Sequence, residues 1–373
     1  MTTPKLNLAI YLPDLSGGGA ERLHVSLVGE LARLGIQPRF LLNERRGELL
    51  DQVHKDVPID VLGATRQIAA LPKLVRWLRR DPPDVLVANM EHMCVIAVLA
   101  RAISRAKTQI IIVQHNSLGK QLQRPGWRWR VLLPLFRSAL RRADAVVAVS
   151  SGVADEMSEL TDISRTGIQV IPNGIVHRDF IKRSLSPVSH PWLRGKVPLI
   201  IGMGRLVDQK DFETLIRAFA KLLEMRDARL IILGDGPLRG DLGRLVSELN
   251  LEEKTHLPGF RNDAPAWLRQ ADLFVLSSRY EGFGNVVAEA LALGTPVVST
   301  DCPFGPAEIL QGGLFGTLVP PGDSAALAQG MLVALADKSG ADVRIARGLS
   351  YSVEGCATAY ASLFHSVISP DCE

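Results

Sequence analysis

Two doubly wound α/β domains are what this sequence predicts, and three observations carry the prediction. Short apolar runs of strand length alternate with helical patterns from end to end. A stretch with three prolines and no clean period, Ser184 to Pro198, interrupts the alternation at mid-chain. At 373 residues the chain is long for one core, so about two domains is the expectation.

The predicted strands of the first half are Leu6 to Pro13, Arg39 to Asn43, Ile59 to Gly63, Asp84 to Met90, Gln109 to His115, Ala145 to Ser150 and Gln169 to Pro172, with helical patterns between them such as Ala20 to Leu34. After the interruption come Leu199 to Gly204, Arg229 to Gly234, Ala271 to Ser278 and Thr295 to Asp301. The helix after the first of these is marked by Phe212, Leu215, Ile216, Phe219, Leu222 and Leu223 at helical spacing. The expected organisation is a first domain over 1–183, a linker over 184–198, a second domain over 199–354, and a terminal helix over 355–373 that can pack back on the first domain. Two such domains leave a cleft between facing strand ends, where ligands of open parallel sheets bind.

Composition narrows the class. An apolar fraction of 47% with 22% charged residues is that of an ordinary globular protein. Cys94, Cys302, Cys356 and Cys372 show no CxxC or zinc-like spacing, which argues against a disulfide framework or structural metal and fits a reducing cytosol. No apolar run approaches the roughly 18 residues of a membrane span, and the N-terminus lacks the charged and apolar regions of a signal peptide. The expectation is a cytoplasmic protein, peripheral on the inner face of the membrane.

Four loops carry chemistry. In Glu281-Gly-Phe-Gly-Asn-Val-Val-Ala-Glu289, two carboxylates bracket a turn between an apolar strand and a buried helix. Gly282 and Gly284 allow close backbone approach, and Asn285 is the expected N-cap. Carboxylates so placed accept hydrogen bonds from the hydroxyls of a sugar or ribose, although a loop charge and a solvated helix residue would give the same spacing. Gly17-Gly18-Gly19 precedes a helix, so its amides form an anion site or simply a tight turn. In Gly204-Arg205-Leu206-Val207-Asp208-Gln209-Lys210, a guanidinium and an ammonium in one strand-to-helix loop can converge on a diphosphate. Gly234-Asp235-Gly236-Pro237 serves base binding or plain turn chemistry. His115, at a strand end, is a further candidate.

These motifs, with Ile171-Pro172-Asn173-Gly174, resemble in order and spacing the large family 4 of retaining glycosyltransferases, over almost the whole chain. The resemblance implies the GT-B fold, two Rossmann-like domains facing a central cleft, and sugar transfer from a nucleotide-sugar donor with retention of configuration. It makes Arg205 and Lys210 stabilisers of the departing diphosphate, Glu281 a holder of donor-sugar hydroxyls and Glu289 of the ribose. The backbone of Phe283, Gly284 and Asn285 would lie against sugar and phosphate, and His115 against the sugar. Gly18, Gly19, Gly204 and Gly234 complete the expected donor loops. Asp301-Cys-Pro-Phe-Gly-Pro-Ala-Glu308 looks like bacterial members that extend lipid-linked oligosaccharides from UDP-sugars, which adds Glu308 as a secondary candidate. Where many relatives have an aliphatic residue and Asp after Asn-Gly, this chain has Ile175 and Val176. No D-x-D motif is present; Asp211-Phe-Glu213 comes nearest, so neither metal nor other cofactor is expected.

Residues 101–142 hold ten basic and no acidic side chains, interleaved with Trp127, Trp129 and aliphatic residues. Such a segment suits an anionic membrane surface, or a helix with a solvated basic face. Nucleic acid fits poorly, because the basic excess is local and no binding module is recognisable. Two rival readings remain: a nucleotide-sugar epimerase on the same fold, and a non-catalytic membrane-associated carbohydrate-binding protein.

Overall fold

Among the residues described by the computed structural model, 5–122, 128–337 and 339–369, the strands form two wholly parallel sheets. Each belongs to its own unit, the first made of 1–174 and 353–373, the second of 175–352.

In the first unit the strands are β1 (Asn7–Leu12), β2 (Gln37–Leu42), β3 (Ile59–Val61), β4 (Val85–Asn89), β5 (Gln109–Gln114), β6 (Ala145–Ala148) and β7 (Ile168–Val170), in sheet order β3-β2-β1-β4-β5-β6-β7. The central strands β1, β4 and β5 are buried on both faces, which is why they read as unbroken apolar runs rather than alternating ones. Strand order reverses between β1 and β4, and the carboxyl ends at such a switch point are where ligands of open parallel sheets bind. The terminal helix Val353–Ile368 belongs to this unit and packs on helix Gly19–Arg33. Its Tyr360 and Phe364 are fully buried, and the Phe364 ring is worth about 1.5–3 kcal/mol over an exposed position.

The second unit holds β8 (Leu199–Met203), β9 (Arg229–Leu233), β10 (Thr255–Gly259), β11 (Leu273–Leu276), β12 (Val297–Thr300) and β13 (Thr317–Val319), in order β10-β9-β8-β11-β12-β13. Its switch point lies between β8 and β11. Helix Phe212–Leu223 covers this sheet through Phe212, Leu215, Ile216, Phe219 and Leu222, the periodic positions of the sequence. The two edge strands β10 and β13 were not expected. The first carries Pro258, tolerated on an edge, and the second is three residues long and half exposed, so neither leaves an apolar run.

The boundary also differs from the proline-rich stretch 184–198, which lies within the second unit. His190 Nε2 meets His256 Nδ1 on β10 at 3.1 Å, and the His190 ring lies 5.1 Å from Trp192 and 5.5 Å from Trp267, so aromatic contacts hold the segment against the sheet edge. The prolines mark irregular backbone here, not a free tether. Ile175 and Val176 donate their amides to the Tyr351 carbonyl, and Val176 pairs with Ser352 in a parallel bridge.

Candidate functional site

In the second unit the loops after β8 and β11 are brought together because their strands are neighbours at the switch point. The first loop ends in a short 3-10 turn, Asp208–Lys210, and the two loops are joined by their own backbone and side chains. Arg279 donates its amide to the Gln209 carbonyl (2.8 Å), Gln209 donates its side-chain amide to the Tyr280 carbonyl (3.0 Å), and Ser277 Oγ donates to the Lys210 carbonyl (2.8 Å).

The structure therefore pairs two of the predicted residues directly. Lys210 Nζ donates to Glu281 Oε1 at 2.5 Å, and Ser278 Oγ donates to the same oxygen at 2.6 Å. The side chains are 17% and 8% exposed, so the pair is largely out of water and the ammonium is aimed by a fixed anion. The thiol of Cys302 is pushed up to about 12, mainly by burial and further by the Glu281 carboxylate. Arg205, in contrast, is exposed, and no side-chain hydrogen bond or ion pair engages it among the described residues.

Glycine is required at this junction. A Cβ on Gly234, which sits at φ 135°, would lie 1.9 Å from the Gly204 carbonyl oxygen. One on Gly236 would lie 2.4 Å from the Leu206 carbonyl oxygen. The loops after β8 and β9 thus touch backbone to backbone, with Leu206 donating to the Asp235 carbonyl at 2.9 Å.

After Glu281 the chain turns into helix Asn285–Ala292. Asn285 is not its N-cap: Gly284 takes that position at φ 91°, a left-handed conformation that asparagine tolerates less well than glycine. The Phe283 ring is buried, edge-on to Tyr351 at 5.2 Å, so this residue can meet a ligand only through its backbone. The amides of Phe283 and Gly284 donate to no group among the described residues, and with the helix N-terminus they form a concentrated set of donors. Glu289 is half-buried one turn further on. Glu308 lies in the short helix Pro306–Ile309, and Pro306 packs beside Gly284. Arg347 fixes that helix by donating to the Glu308 and Ile309 carbonyls, both at 2.8 Å.

In the first unit, His115 follows β5 at the carboxyl end of the sheet. Its Nε2 lies 2.8 Å from Asn89 Oδ1, and His24 Nε2 lies 2.9 Å from the same atom. Burial, with the neighbouring His24 ring, holds His115 down to about 3; burial, partly offset by the hydrogen bond to Asn89, takes His24 to about 4. Both imidazoles are neutral at pH 7. At the glycine turn, Gly18 caps helix Gly19–Arg33, but the Glu21 carboxylate folds back over it: a Cβ on Gly18 would lie 2.2 Å from Glu21 Oε2. The helix end at Gly18 and Gly19 thus already faces a carboxylate, and burial raises Glu21 toward its neutral form.

Sequence reasoning missed Asn89, His24, Ser278 and Arg279, and read Asp211 only as part of the nearest approach to a D-x-D motif. Asp211 sits at φ 47° before helix Phe212–Leu223, yet its carboxylate turns to Arg279, 3.0 Å from Nε, instead of capping the helix. A polar residue ending an apolar strand run, as Asn89 and Ser278 do, was the available signal.

A family model described as Glycosyltransferase Family 4 matches residues 17–178, and one described as Glycosyl transferases group 1 matches 197–337. The chain belongs to the family 4 glycosyltransferases. Lipopolysaccharide core biosynthesis glycosyltransferase LpsE of Rhizobium meliloti is 29% identical over 331 residues, 86% of this chain and 87% of that one. The Campylobacter jejuni N-acetylgalactosamine-N,N'-diacetylbacillosaminyl-diphospho-undecaprenol 4-alpha-N-acetylgalactosaminyltransferase is 28% identical over 347 residues, 88% of this chain and 90% of that one. Among solved structures, Anabaena HepE in complex with UDP and glucose matches with a TM-score of 0.80 at 22% identity, over 97% of this chain and all (100%) of that one. A Rickettsia africae glycosyltransferase matches at 0.81 and 18% identity, over 98% and 99%. These structural likenesses show the fold: this glycosyltransferase has the two Rossmann-like units of GT-B enzymes.

Proposed function

We propose that this glycosyltransferase moves a hexose or N-acetylhexosamine from a UDP-sugar to a membrane lipid-linked saccharide, with retention of configuration and without a metal. The observation that carries the reading is the Lys210 ammonium held by Glu281 beside the unfilled amides of Phe283 and Gly284 and the unpaired Arg205. Breaking the bond from sugar C1 to the phosphate oxygen sends its electron pair to the diphosphate. Fixed cations and oriented amides stabilise that developing charge without reorganising at the moment of reaction. The acceptor oxygen bonds to C1 on the face the diphosphate leaves, and its proton passes to the departing phosphate oxygen, so no separate base is required. Glu281 Oε1 is engaged by Lys210 and Ser278, which leaves Oε2 for a sugar hydroxyl; Glu289 is assigned to the ribose and Glu308 to the donor.

The UDP donor is supported by the UDP and glucose bound to HepE, and the lipid-linked acceptor by the diphospho-undecaprenol in the name of the Campylobacter relative. Incubation with a panel of UDP-sugars, with and without a polyprenyl-diphosphate saccharide, tests this by UDP release, which should persist in EDTA. No release from any donor would sink the enzyme reading, and loss in EDTA would sink metal independence.

Peripheral membrane contact is part of the proposal. Helices Glu91–Ser104 and Arg128–Leu140 pack together, and each leaves a pair of apolar side chains exposed one turn apart, Leu99 with Ile103 and Val131 with Leu135. Exposed Arg105, Lys107, Arg130, Arg141 and Arg142 accompany them. Arg124 and Trp127 lie outside the described residues. Arg137 is engaged within the fold, donating to the Leu160 carbonyl at 3.0 and 2.6 Å. Among the described residues no helix is long and apolar enough to cross a membrane. Replacing Arg130 and Arg141 by Glu, and sparing Arg137, should weaken binding to anionic liposomes while UDP release persists; unchanged binding would refute the contact.

A further inference from the structure

We infer that Asn89 is a positioning residue that fixes the tautomer of His115, so that His115 Nδ1 meets the donor sugar only as a hydrogen-bond acceptor and selects a hydroxyl there. The inference rests on the transferase reading for the identity of the sugar, but its structural half stands on Asn89 alone.

Asn89 ends β4 and is fully buried. Its Nδ2 donates to the Tyr11 carbonyl at 3.3 Å, and a backbone carbonyl takes only a donor, which identifies the other end of the amide as the oxygen. That oxygen has lone pairs and no proton, yet it contacts His115 Nε2 at 2.8 Å and His24 Nε2 at 2.9 Å. Both ring nitrogens must therefore carry hydrogen. A neutral imidazole protonated at Nε2 has a bare lone pair at Nδ1. His115 Nδ1 is enclosed and has no partner, a costly condition in an empty site and a satisfied one when a ligand supplies a donor.

The surroundings reinforce the arrangement. The two imidazoles pack edge-on, with ring centres 5.8 Å apart at 84°, so His24 limits rotation of the amide and of its neighbour. The Glu91 carboxylate accepts from Gln114 Nε2 at 2.9 Å and is thereby engaged away from the imidazoles. The chain leaves Asn89 through Met90 at φ 66°, a conformation a long side chain adopts only where its surroundings impose it. A hydroxyl provides the donor that Nδ1 needs, whereas a fluorine or methyl ether at the same sugar carbon does not.

The test is nitrogen NMR of the full-length chain labelled at histidine, with the His115 signals assigned through His115→Gln. The parent protein should show Nε2 protonated and Nδ1 bare at neutral pH. Asn89→Leu should give a mixture of both tautomers, and Asn89→Asp, whose carboxylate favours imidazolium, should protonate both nitrogens. With the UDP-sugar that gives UDP release, kcat/KM should fall on the order of 100-fold in Asn89→Leu, as for a misplaced reacting group. A protonated Nδ1 in the parent, or a folded Asn89→Leu protein that keeps the pure Nε2–H form, overturns the inference. Should Asn89→Leu not fold, a neutral His115 in Asn89→Asp overturns it instead. Absence of UDP release from every donor overturns the transferase reading, and the spectra still decide the tautomer.

Discussion

A double-mutant cycle on Lys210 and Glu281 should move stability and turnover in different directions. The pair meets at 2.5 Å with side chains 17% and 8% exposed, so Lys210→Met leaves a carboxylate, and Glu281→Gln an ammonium, without its counter-charge in a site mostly removed from water. Breaking a buried pair from one side costs about 3–5 kcal/mol. The residual exposure of Lys210 and the Ser278 hydroxyl, which still partners residue 281, place these substitutions near the lower end, about 3 kcal/mol. For a unit of about 180 residues, that lowers Tm by roughly 6–12 °C. Replacing both partners removes both charges and returns stability to within about 1 kcal/mol of the parent. Turnover does not follow: every variant lacking Lys210 loses the cation that the proposed function assigns to the leaving diphosphate, an expected loss of about 100- to 1,000-fold in kcat. Thermal melts followed by circular dichroism and UDP release at saturating donor measure the two quantities. Additive destabilisation in the double variant would show that the contact is not a coupled ion pair. Turnover restored together with stability would show that Lys210 serves the fold and not the leaving group.

Three other outcomes follow from the same geometry. Gly234→Ala, whose new methyl group meets the Gly204 carbonyl oxygen at 1.9 Å, should destabilise the second unit by more than about 1–3 kcal/mol, whereas Gly243→Ala in helix Arg239–Glu248, with nothing within 4 Å, should stabilise it by about 0.4–1 kcal/mol. An unchanged melt for Gly234→Ala would contradict the backbone contact. Arg279→Ala leaves the buried Asp211 carboxylate unpaired beside Lys210 and should cost about 1–3 kcal/mol while raising the donor KM; equal KM values would detach this pair from the donor loop. Acid should destabilise the first unit: the folded pKa of His24, about 4, lies below the unfolded value of 6.5, so the unfolded chain binds the extra proton first as pH falls. Its contribution is complete above about 6.5 and declines toward pH 4 by about 3 kcal/mol, a trend that His24→Gln should reduce in urea titrations, leaving the part that His115, held down to about 3, contributes in the same direction.

The sequence showed most strongly what depends on chain order. Runs such as Leu8–Leu12 and Leu230–Leu233 are central strands buried on both faces, and their apolar continuity alone places them. The edge strands carry no such run, and Thr255–Gly259 with its proline could not be read as one. The Gly204 and Gly234 loops were legible as strand-end turns, but not their mutual contact, which depends on β8 and β9 being neighbours. Lys210 and Glu281 were legible as separate candidates. Their pairing was not, because the sequence separation of 71 between them is closed only by the β8–β11 register. Asn285 was misassigned for a local reason: asparagine suits an N-cap in extended backbone, but this turn needs the left-handed residue one position earlier, and glycine is there.

The reversal of strand order does more than open space for a ligand. In the second unit it juxtaposes the ends of β8 and β11, one contributing a cation and the other a carboxylate with free amides beyond it. In the first unit it juxtaposes β1 and β4, and with the next strand β5 it collects Tyr11, Asn89 and His115 into one hydrogen-bonded chain. The two results differ in charge. The first gathers a cation that a departing anion requires, and the second gathers neutral rings held below their ordinary pKa by burial, suited to reading hydroxyls. Under the proposed function, the first set is assigned to the leaving group and the second to the sugar, a division of labour. If it holds, substitutions at Lys210 act on kcat for every donor alike, whereas substitutions at Asn89 change the ratio of kcat/KM between donors that differ at one hydroxyl. Equal effects of both on that ratio would refute the division.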